Sequence, residues 1–281
     1  MSKPAPEALT LLLPVCNQSA ALERALPAWM NWLAQSGREH ELIVIDDGCT
    51  DTSAAFLDQS RIRYPTMRVL KHDSALGYGA GLRTGLAEAR FPLLAYTGLD
   101  AGYAPADLGP LLKRLEDADP ETRQRLDLVN GYRAGRAYPR WRRITGRAFR
   151  IMQRVTLSLH PVQKPGYLGE PAHRYALLLR CLFGLRVGDV DSKLKVFRCR
   201  IFDRLPIQSN GEFVHAEILA KANFLGCLMD ELPLNGRSVP YTPQAYGITG
   251  SRRGEMMKVF FSPKFTAPRL LVSPELAQAP T

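Results

Sequence analysis

An α/β fold built on a mostly parallel sheet is predicted by three features of this 281-residue chain. Continuous apolar runs, Leu9 to Val15, Leu42 to Ile45 and Leu93 to Tyr96, alternate with stretches that read as helices. Leu42-Ile43-Val44-Ile45 ends abruptly in Asp46-Asp47-Gly48, as a buried parallel strand does when it delivers carboxylates to the C-terminal edge of a sheet. The run from Leu93 to Tyr96 also leads to an acid, Asp100, so two strand ends place carboxylates on the same edge. Ligands bind at that edge in open α/β folds.

The first strand, Leu9 to Val15, contains Pro14 and ends in the polar turn Cys16-Asn17-Gln18. Ser19 is a candidate cap for a helix running to about Ser36, with Gly37 as its stop and Pro27 as a kink or break. The strand ending at Asp47 follows. Gly48 permits a tight turn, and Thr50 or Asp51 can cap the next helix, about Thr52 to Tyr64. A third strand near Met67 to Lys71 precedes the glycine cluster Gly77-Tyr-Gly-Ala-Gly81, with Gly85 beyond. After Leu93 to Tyr96, a helix opens at Pro105 with LGPLLKRL as its apolar face.

The glycine cluster does not make a dinucleotide fingerprint. The sixth position is Leu82 counted from Gly77, or Thr84 counted from Gly79, and the cluster follows the third strand rather than the first. Two readings remain: an anion site at a helix start, with Arg83 one turn in and able to reach a diphosphate, or close packing of a helix on the sheet.

Composition narrows the partners. A net charge of +10 and a pI near 9.6 suggest an anionic one: a nucleotide, a lipid phosphate, a membrane surface or a nucleic acid. No nucleic-acid motif accompanies the charge, so nucleic acid is not expected. The five cysteines are scattered without a CxxC pair, which indicates neither a zinc site nor a disulfide framework. No apolar run reaches membrane-spanning length and the first ten residues lack a signal-peptide core, so a cytoplasmic protein is expected. Between Arg133 and Arg154 seven further arginines follow, Arg136, Arg140, Arg142, Arg143, Arg147, Arg150 and Arg154, interleaved with apolar residues. This reads as a basic amphipathic helix, about residues 140–158, lying on an anionic membrane or presenting a solvated face. Residues 159–176 are rich in proline and glycine and read as an inserted loop, and 241–281 as a mostly irregular tail with one short element, Met256 to Phe261, poorly ordered after about Ser262.

DDGCTD, GYGAGLRTG, TGLDAGYAPADL, GYR at Gly131 to Arg133, LFGLRVGDVDSKLKVFR from Leu182 and NGEFVHAEIL from Asn210 occur in order. Together they resemble the family 2 glycosyltransferases, most closely the polyprenol-phosphate branch that includes dolichol-phosphate mannose synthase. The resemblance implies a GT-A fold over residues 1–240, a GDP- or UDP-linked sugar donor, Mg²⁺ or Mn²⁺, a polyprenyl phosphate acceptor, and peripheral contact with the inner face of the membrane. Pro14, Val15, Asp46 and Asp47 match positions that hold the nucleotide. Asp100 matches the last acid of the family's D-x-D, the metal ligand across the diphosphate. Arg133, with Arg142 or Arg143, matches positions that grip the acceptor phosphate. Asp189, Asp191 and Lys195 match a D-x-D-x-x-x-K segment beside the sugar and lipid entry, with Lys195 a further implied contact to the acceptor phosphate, and Glu217 matches an acid lining the same cavity. Asp100, Arg133 and Asp191 are the implied catalytic residues.

Departures accompany the match. Gly98 replaces the first acid of D-x-D, Gly102 a glutamine, Gln18 an acid, Asn235 a histidine, Cys49 a serine and Ala75 an asparagine. Gly98 and Gly102 remove oxygen ligands and weaken the expected cation site. The alternative to an active transferase is a degenerate GT-A protein that binds a nucleotide or a partner without turnover.

Overall fold

In a computed structural model that describes residues 6–99, 103–118, 124–133, 172–185, 187, 189–234 and 252–266, the continuous apolar runs become neighbouring strands. They are β1 (Leu9–Val15), β2 (His40–Asp47), β3 (Met67–His72) and β4 (Leu93–Tyr96), joined by β5 (Leu128–Arg133), β6 (Lys195–Arg198) and β7 (Met229–Leu234). The order across the sheet is β3-β2-β1-β4-β6-β5-β7. All pairs are parallel except those of β6, which runs against both β4 and β5.

Parallel strands need crossover helices, and these cover both faces. Leu11, Leu13, Leu42 and Val44 point to one face and pack under α1 (Ser19–Gln35), α2 (Ser53–Arg63) and α4 (Leu108–Glu116). Their chain neighbours Leu12, Ile43 and Ile45 point to the other, under α3 (Tyr78–Ala87), α5 (Ala172–Phe183), α6 (Val214–Phe224) and α7 (Arg252–Phe261). Alternation along a strand with both faces buried is why these runs are almost wholly apolar; the exception in β1, buried Thr10, donates its hydroxyl to Glu41 Oε1 at 2.7 Å.

Four expectations are corrected. Ser19 is the first residue of α1 rather than its cap; its N–H donates to Asp51 Oδ2, while Asp51 Oδ1 accepts from Ser53 N–H, so one carboxylate serves the N-termini of α1 and α2. Burial raises the Asp51 pKa, but these Ser53 and Ser19 hydrogen bonds outweigh it and hold the carboxyl below its ordinary value. Helix α1 runs through Pro27 without a break. The short element expected in the tail is longer than Met256 to Phe261: α7 starts at Arg252, buries Met256 and Val259, and accepts the Asn210 and Gly211 amides on Glu255 Oε1 at 2.8 Å each. Residues 262–266 continue along the same neighbour, with Lys264 N–H on Gln208 Oε1 and Thr266 N–H on the Arg204 carbonyl. The inserted segment gives way to α5 at Ala172, earlier than expected. The basic helix of residues 140–158, and the tail beyond residue 266, lie outside the described residues.

A further anchor joins α4 to the α1–β2 connection. Arg38 donates both terminal nitrogens to the two Glu116 oxygens, and Glu7 N–H adds a third bond. Burial pushes the Glu116 carboxyl up, yet the Arg38 hydrogen bonds and charge outweigh it and hold the pKa below its ordinary 4.5. A lowered folded-state pKa means stability that is complete above the unfolded value and lost as pH falls through the folded one. Glu116→Gln is therefore expected to lower the urea midpoint at pH 7 and to lose less against wild type near pH 3; a gap that does not change with pH would contradict this.

Candidate active site

The carboxyl ends of β1, β2 and β4 meet at one edge, and two turns there are sewn together. Asn17 follows β1 in the left-handed region at φ 49°, which asparagine tolerates better than most residues. Its Oδ1 accepts the Thr50 and Asp51 amides at 2.7 and 3.2 Å. Cys49 Sγ accepts from Asn17 N–H and donates to the Val15 carbonyl. Burial, followed by the hydrogen bond to Asp46 and that acid's charge, pushes the Cys49 thiol up to about 12. The neutral Cys49 thiol thus links the two turns. Asp46, 4% exposed, accepts the Cys49 amide on Oδ1 at 2.9 Å and fixes the turn after β2.

Asp47 is placed differently from the sequence expectation. It is fully buried, its Oδ1 meeting His72 Nδ1 at 2.7 Å and the Leu76 amide at 2.9 Å, its Oδ2 the Gly77 amide at 2.8 Å. That carboxylate clamps the β3–α3 loop and leaves the nucleotide to other groups. The glycine cluster is settled the same way. The first-turn amides of Gly79 and Ala80 donate to the Asn210 carbonyl, and Arg83 binds the Ile207 and Ser209 carbonyls and Asn210 Oδ1. Gly85 lies where a Cβ would stand 2.9 Å from Ile45 and 3.0 Å from Leu12. Close packing, not an open anion cradle, explains these glycines, and Arg83 ties down the 207–210 loop rather than a diphosphate.

The segment before β6 brings the remaining charges together. Asp191 is ion-paired with Arg252 at the start of α7 at 3.2 Å, and the same guanidinium reaches Glu212 at 3.5 Å. Lys193 Nζ lies 3.2 Å from Glu212 and 5.2 Å from the centroid of the buried Tyr78 ring. Tyr103 OH meets Ser192 Oγ and accepts the Lys193 amide. Tyr78 donates to the Thr97 carbonyl, and Tyr96 OH lies 3.0 Å from His215 Nδ1, so buried aromatic rings pack beneath the end of β4.

Two sequence candidates are fully buried rather than open to a ligand. Lys195 is fully buried, and Nζ donates to the Val190 and Ser192 carbonyls, holding the 190–192 turn. It is not placed to grip an acceptor phosphate. Glu217 is fully buried too, paired with Lys221 at 2.7 Å and accepting the Gln208 and Ser209 amides. With Lys221, which donates to the Pro206 carbonyl, it fixes the 206–209 loop. Asp189 is 3% exposed, its carbonyl accepting from Asn130 Nδ2. Pro14 and Val15 lie buried at the end of β1, where Val15 pairs with Asp46. Arg133 ends β5, with Leu234 as its register partner. Asp100, Arg142 and Arg143 lie outside the described residues.

Among the described residues no three histidine, cysteine or acidic side chains converge. Asp47 is committed to amides and His72, and Asp191 to Arg252, whereas Mg²⁺ and Mn²⁺ want several oxygen ligands. The described residues alone therefore do not fit the metal that the D-x-D resemblance implies. A surface cleft of about 740 Å³, lined by Pro27, Met30, Asn31, His40, Arg63 and Tyr64, lies at the opposite, amino edge of the sheet and carries no carboxylate.

The profile of the family described as Glycosyl transferase family 2 matches residues 10–163, more than half of the chain, and takes in β1 to β5. The chain belongs to glycosyl transferase family 2. This family 2 member is 26% identical over 74% of its length to an undecaprenyl-phosphate 4-deoxy-4-formamido-L-arabinose transferase of Pseudomonas aeruginosa, of which it covers 56%. It is 23% identical over 85% of its length to an undecaprenyl-phosphate mannosyltransferase of Micrococcus luteus, covering 88% of that protein. The chain spans a little over half the length of several curated relatives. Its fold is GT-A: glucosyl-3-phosphoglycerate synthase from Mycobacterium tuberculosis, solved with Mn²⁺, uridine diphosphate and phosphoglyceric acid, superposes with a TM-score of 0.58 at 19% identity, covering 92% of this chain and 76% of that one. No helix among the described residues of this family 2 chain is long and apolar enough to cross a membrane.

Sequence reasoning missed Arg252, Glu212 and Glu255. Arg252 and Asp191 are 61 residues apart, and nothing local in SRRGEMMK marks a return to the cleft. His72 was also missed; a histidine closing a strand two residues before the Ser74 turn carries no signal of its partner.

Proposed function

We propose that this chain transfers a sugar from a nucleoside diphosphate sugar to a polyprenyl phosphate lipid by direct, inverting displacement. The observation that carries the reading is the edge itself: the family match falls on the strands whose carboxyl ends meet there, in the turns of Asn17, Asp46 and Thr97. The names of two relatives, both undecaprenyl-phosphate sugar transferases, supply the acceptor class.

The donor base and ribose are assigned to Pro14, Val15 and Asp46, and the diphosphate to the region of Asp100. An oxygen of the acceptor phosphate forms its bond to the anomeric carbon as the bond from that carbon to the diphosphate oxygen breaks. The electron pair leaves with the nucleoside diphosphate. A phosphate monoester, with a second pKa of about 6, is already an anion at pH 7 and needs no general base. This suits a site in which Asp191 is paired with Arg252. Arg133, with Arg142 or Arg143, orients the acceptor phosphate. Asp191 acts by fixing Arg252 at the cleft mouth. The lipid acceptor brings the protein to the inner face of a membrane as a peripheral protein.

Thermal melts with GDP, UDP, GDP-mannose and UDP-glucose, each with EDTA, Mg²⁺ or Mn²⁺, test the donor half. Ligand at 100 times its dissociation constant adds about 2.7 kcal/mol, a shift of several degrees. A shift confined to one base is expected and names the donor. Dependence on metal would assign a cation to Asp100, and Asp100→Asn should then remove that dependence. No shift with any nucleotide would contradict donor binding and favour a family member that works through other partners.

A further inference from the structure

We propose that the outer face of α7, with the end of α6 and the segment after α7, is the surface on which this protein docks to an anionic bilayer. The inference rests on the lipid-acceptor reading for its purpose, and on the surface itself for its location. Soluble domains seldom leave large aromatic side chains clustered in water, and such patches mark interfaces. Here Phe261 is 74% exposed, Phe224 51%, Met257 41% and Phe265 40%. They form one patch. Phe224 at the end of α6 meets the Phe265 ring at 6.5 Å, Phe260 and Phe261 are 5.2 Å apart, and buried Phe183 of α5 joins both halves, 6.1 Å from Phe224 and 5.6 Å from Phe260.

Helix geometry and charge select the occupant. Arg253, Met257 and Phe261 recur every four residues, so they share one stripe of α7 while Met256 and Val259 bury the other. The exposed charges on and just beyond that stripe, Arg253, Lys258 and Lys264, are all positive, since Glu255 is turned inward onto Asn210 and Gly211. Apolar rings between exposed cations match the interface of an anionic leaflet, where the rings enter the headgroup boundary and each cation adds attraction. Self-association through the same face would oppose like charges across a symmetric contact. Position completes the case. Arg252, at the head of α7, is held on Asp191 in the candidate site, and at 1.5 Å per residue Phe261 lies about 14 Å further along the helix. A lipid phosphate at the cleft would thus lead its chain towards the patch.

The test uses the full chain without sugar or acceptor, so its outcome does not depend on catalysis. Flotation with phosphatidylcholine vesicles and with vesicles containing phosphatidylglycerol is compared for the wild type, the Met257→Ser/Phe261→Ser/Phe265→Ser triple variant, Lys258→Glu/Lys264→Glu, and Arg147→Glu/Arg150→Glu/Arg154→Glu. Binding to anionic vesicles is expected, weakened at least tenfold in each of the first two variants. In otherwise wild-type protein, Phe261→Trp should add fluorescence that shifts to the blue with anionic vesicles only. Unchanged binding of the first two variants, with loss confined to the arginine variant, would overturn the assignment of this face. So would a Phe261→Trp signal blind to vesicles, or a dimer in sedimentation velocity that the triple variant dissolves. Docking without any sugar transfer would leave this inference standing and contradict the proposed function.

Discussion

Glu217→Ala is expected to lower the melting temperature by roughly 10 °C. Glu217 and Lys221 are an i, i+4 pair with both side chains fully buried, 2.7 Å apart. Glu217 also takes the Gln208 and Ser209 amides, and Lys221 donates to the Pro206 carbonyl. Truncation strands a buried ammonium and two amides at once, and breaking such a pair from one side costs about 3–5 kcal/mol. Burial already pushes the Lys221 pKa down against the Glu217 hydrogen bond and charge that raise it, so the lone ammonium is poorly tolerated. The double variant Glu217→Ala/Lys221→Met should recover much of the loss, because removing both charges abolishes the stranded one. A single variant that melts within two degrees of wild type would show that the pair does not hold the 206–209 loop.

The second large effect separates two glycines of one helix. A Cβ on Gly79 would stand 2.3 Å from the Ser209 carbonyl oxygen and 3.1 Å from the Asn210 carbonyl carbon, backbone atoms that cannot swing away. Gly79→Ala is expected to cost about 3 kcal/mol, although alanine favours a helix by nearly 1 kcal/mol. A Cβ on Gly81 meets only Pro14 Cβ at 3.4 Å and an Ile45 methyl at 3.5 Å. Gly81→Ala should fall within about 1 kcal/mol of wild type or stabilise slightly. The Gly79 variant must also displace Asn210, whose neighbours Gly211 and Glu212 reach Glu255 and Arg252. Nucleotide-induced stabilisation should therefore shrink in it and persist in Gly81→Ala. Equal melting temperatures for the two variants would remove the loop from any role in shaping the cleft.

The strands were legible because their cause is local. Leu9–Val15 and Leu93–Tyr96 have the boundaries their apolar runs suggest, since a strand buried on both faces admits few polar residues, here only Thr10 with its hydroxyl bonded to Glu41. The acid-bearing turn after β2 was legible for the same reason: Gly48, at φ 65°, sits where its Cβ would be 2.5 Å from Ala75 N. What each charge does was not legible. Asp47, Arg83, Lys195 and Glu217 are each held largely by backbone groups of other segments, chosen by the fold rather than by spacing. A buried charge needs such partners, and sequence marks the charge without marking them. Helix α7 was underestimated for a related reason. Its buried side is only Met256 and Val259, too short an apolar pattern to separate from tail, and its anchors Arg252 and Glu255 are explained only by Asp191 and Asn210.

The most direct measurement is transfer of a radiolabelled sugar from UDP- and GDP-linked donors into material extractable by organic solvent, with undecaprenyl phosphate, a soluble phosphate monoester or no acceptor present. Product that forms only with the lipid phosphate, from donors of one base, and is lost at least a hundredfold in Arg133→Ala is the predicted result. Transfer to the soluble phosphate alone, or none under conditions where nucleotide binding is already seen, would contradict the account.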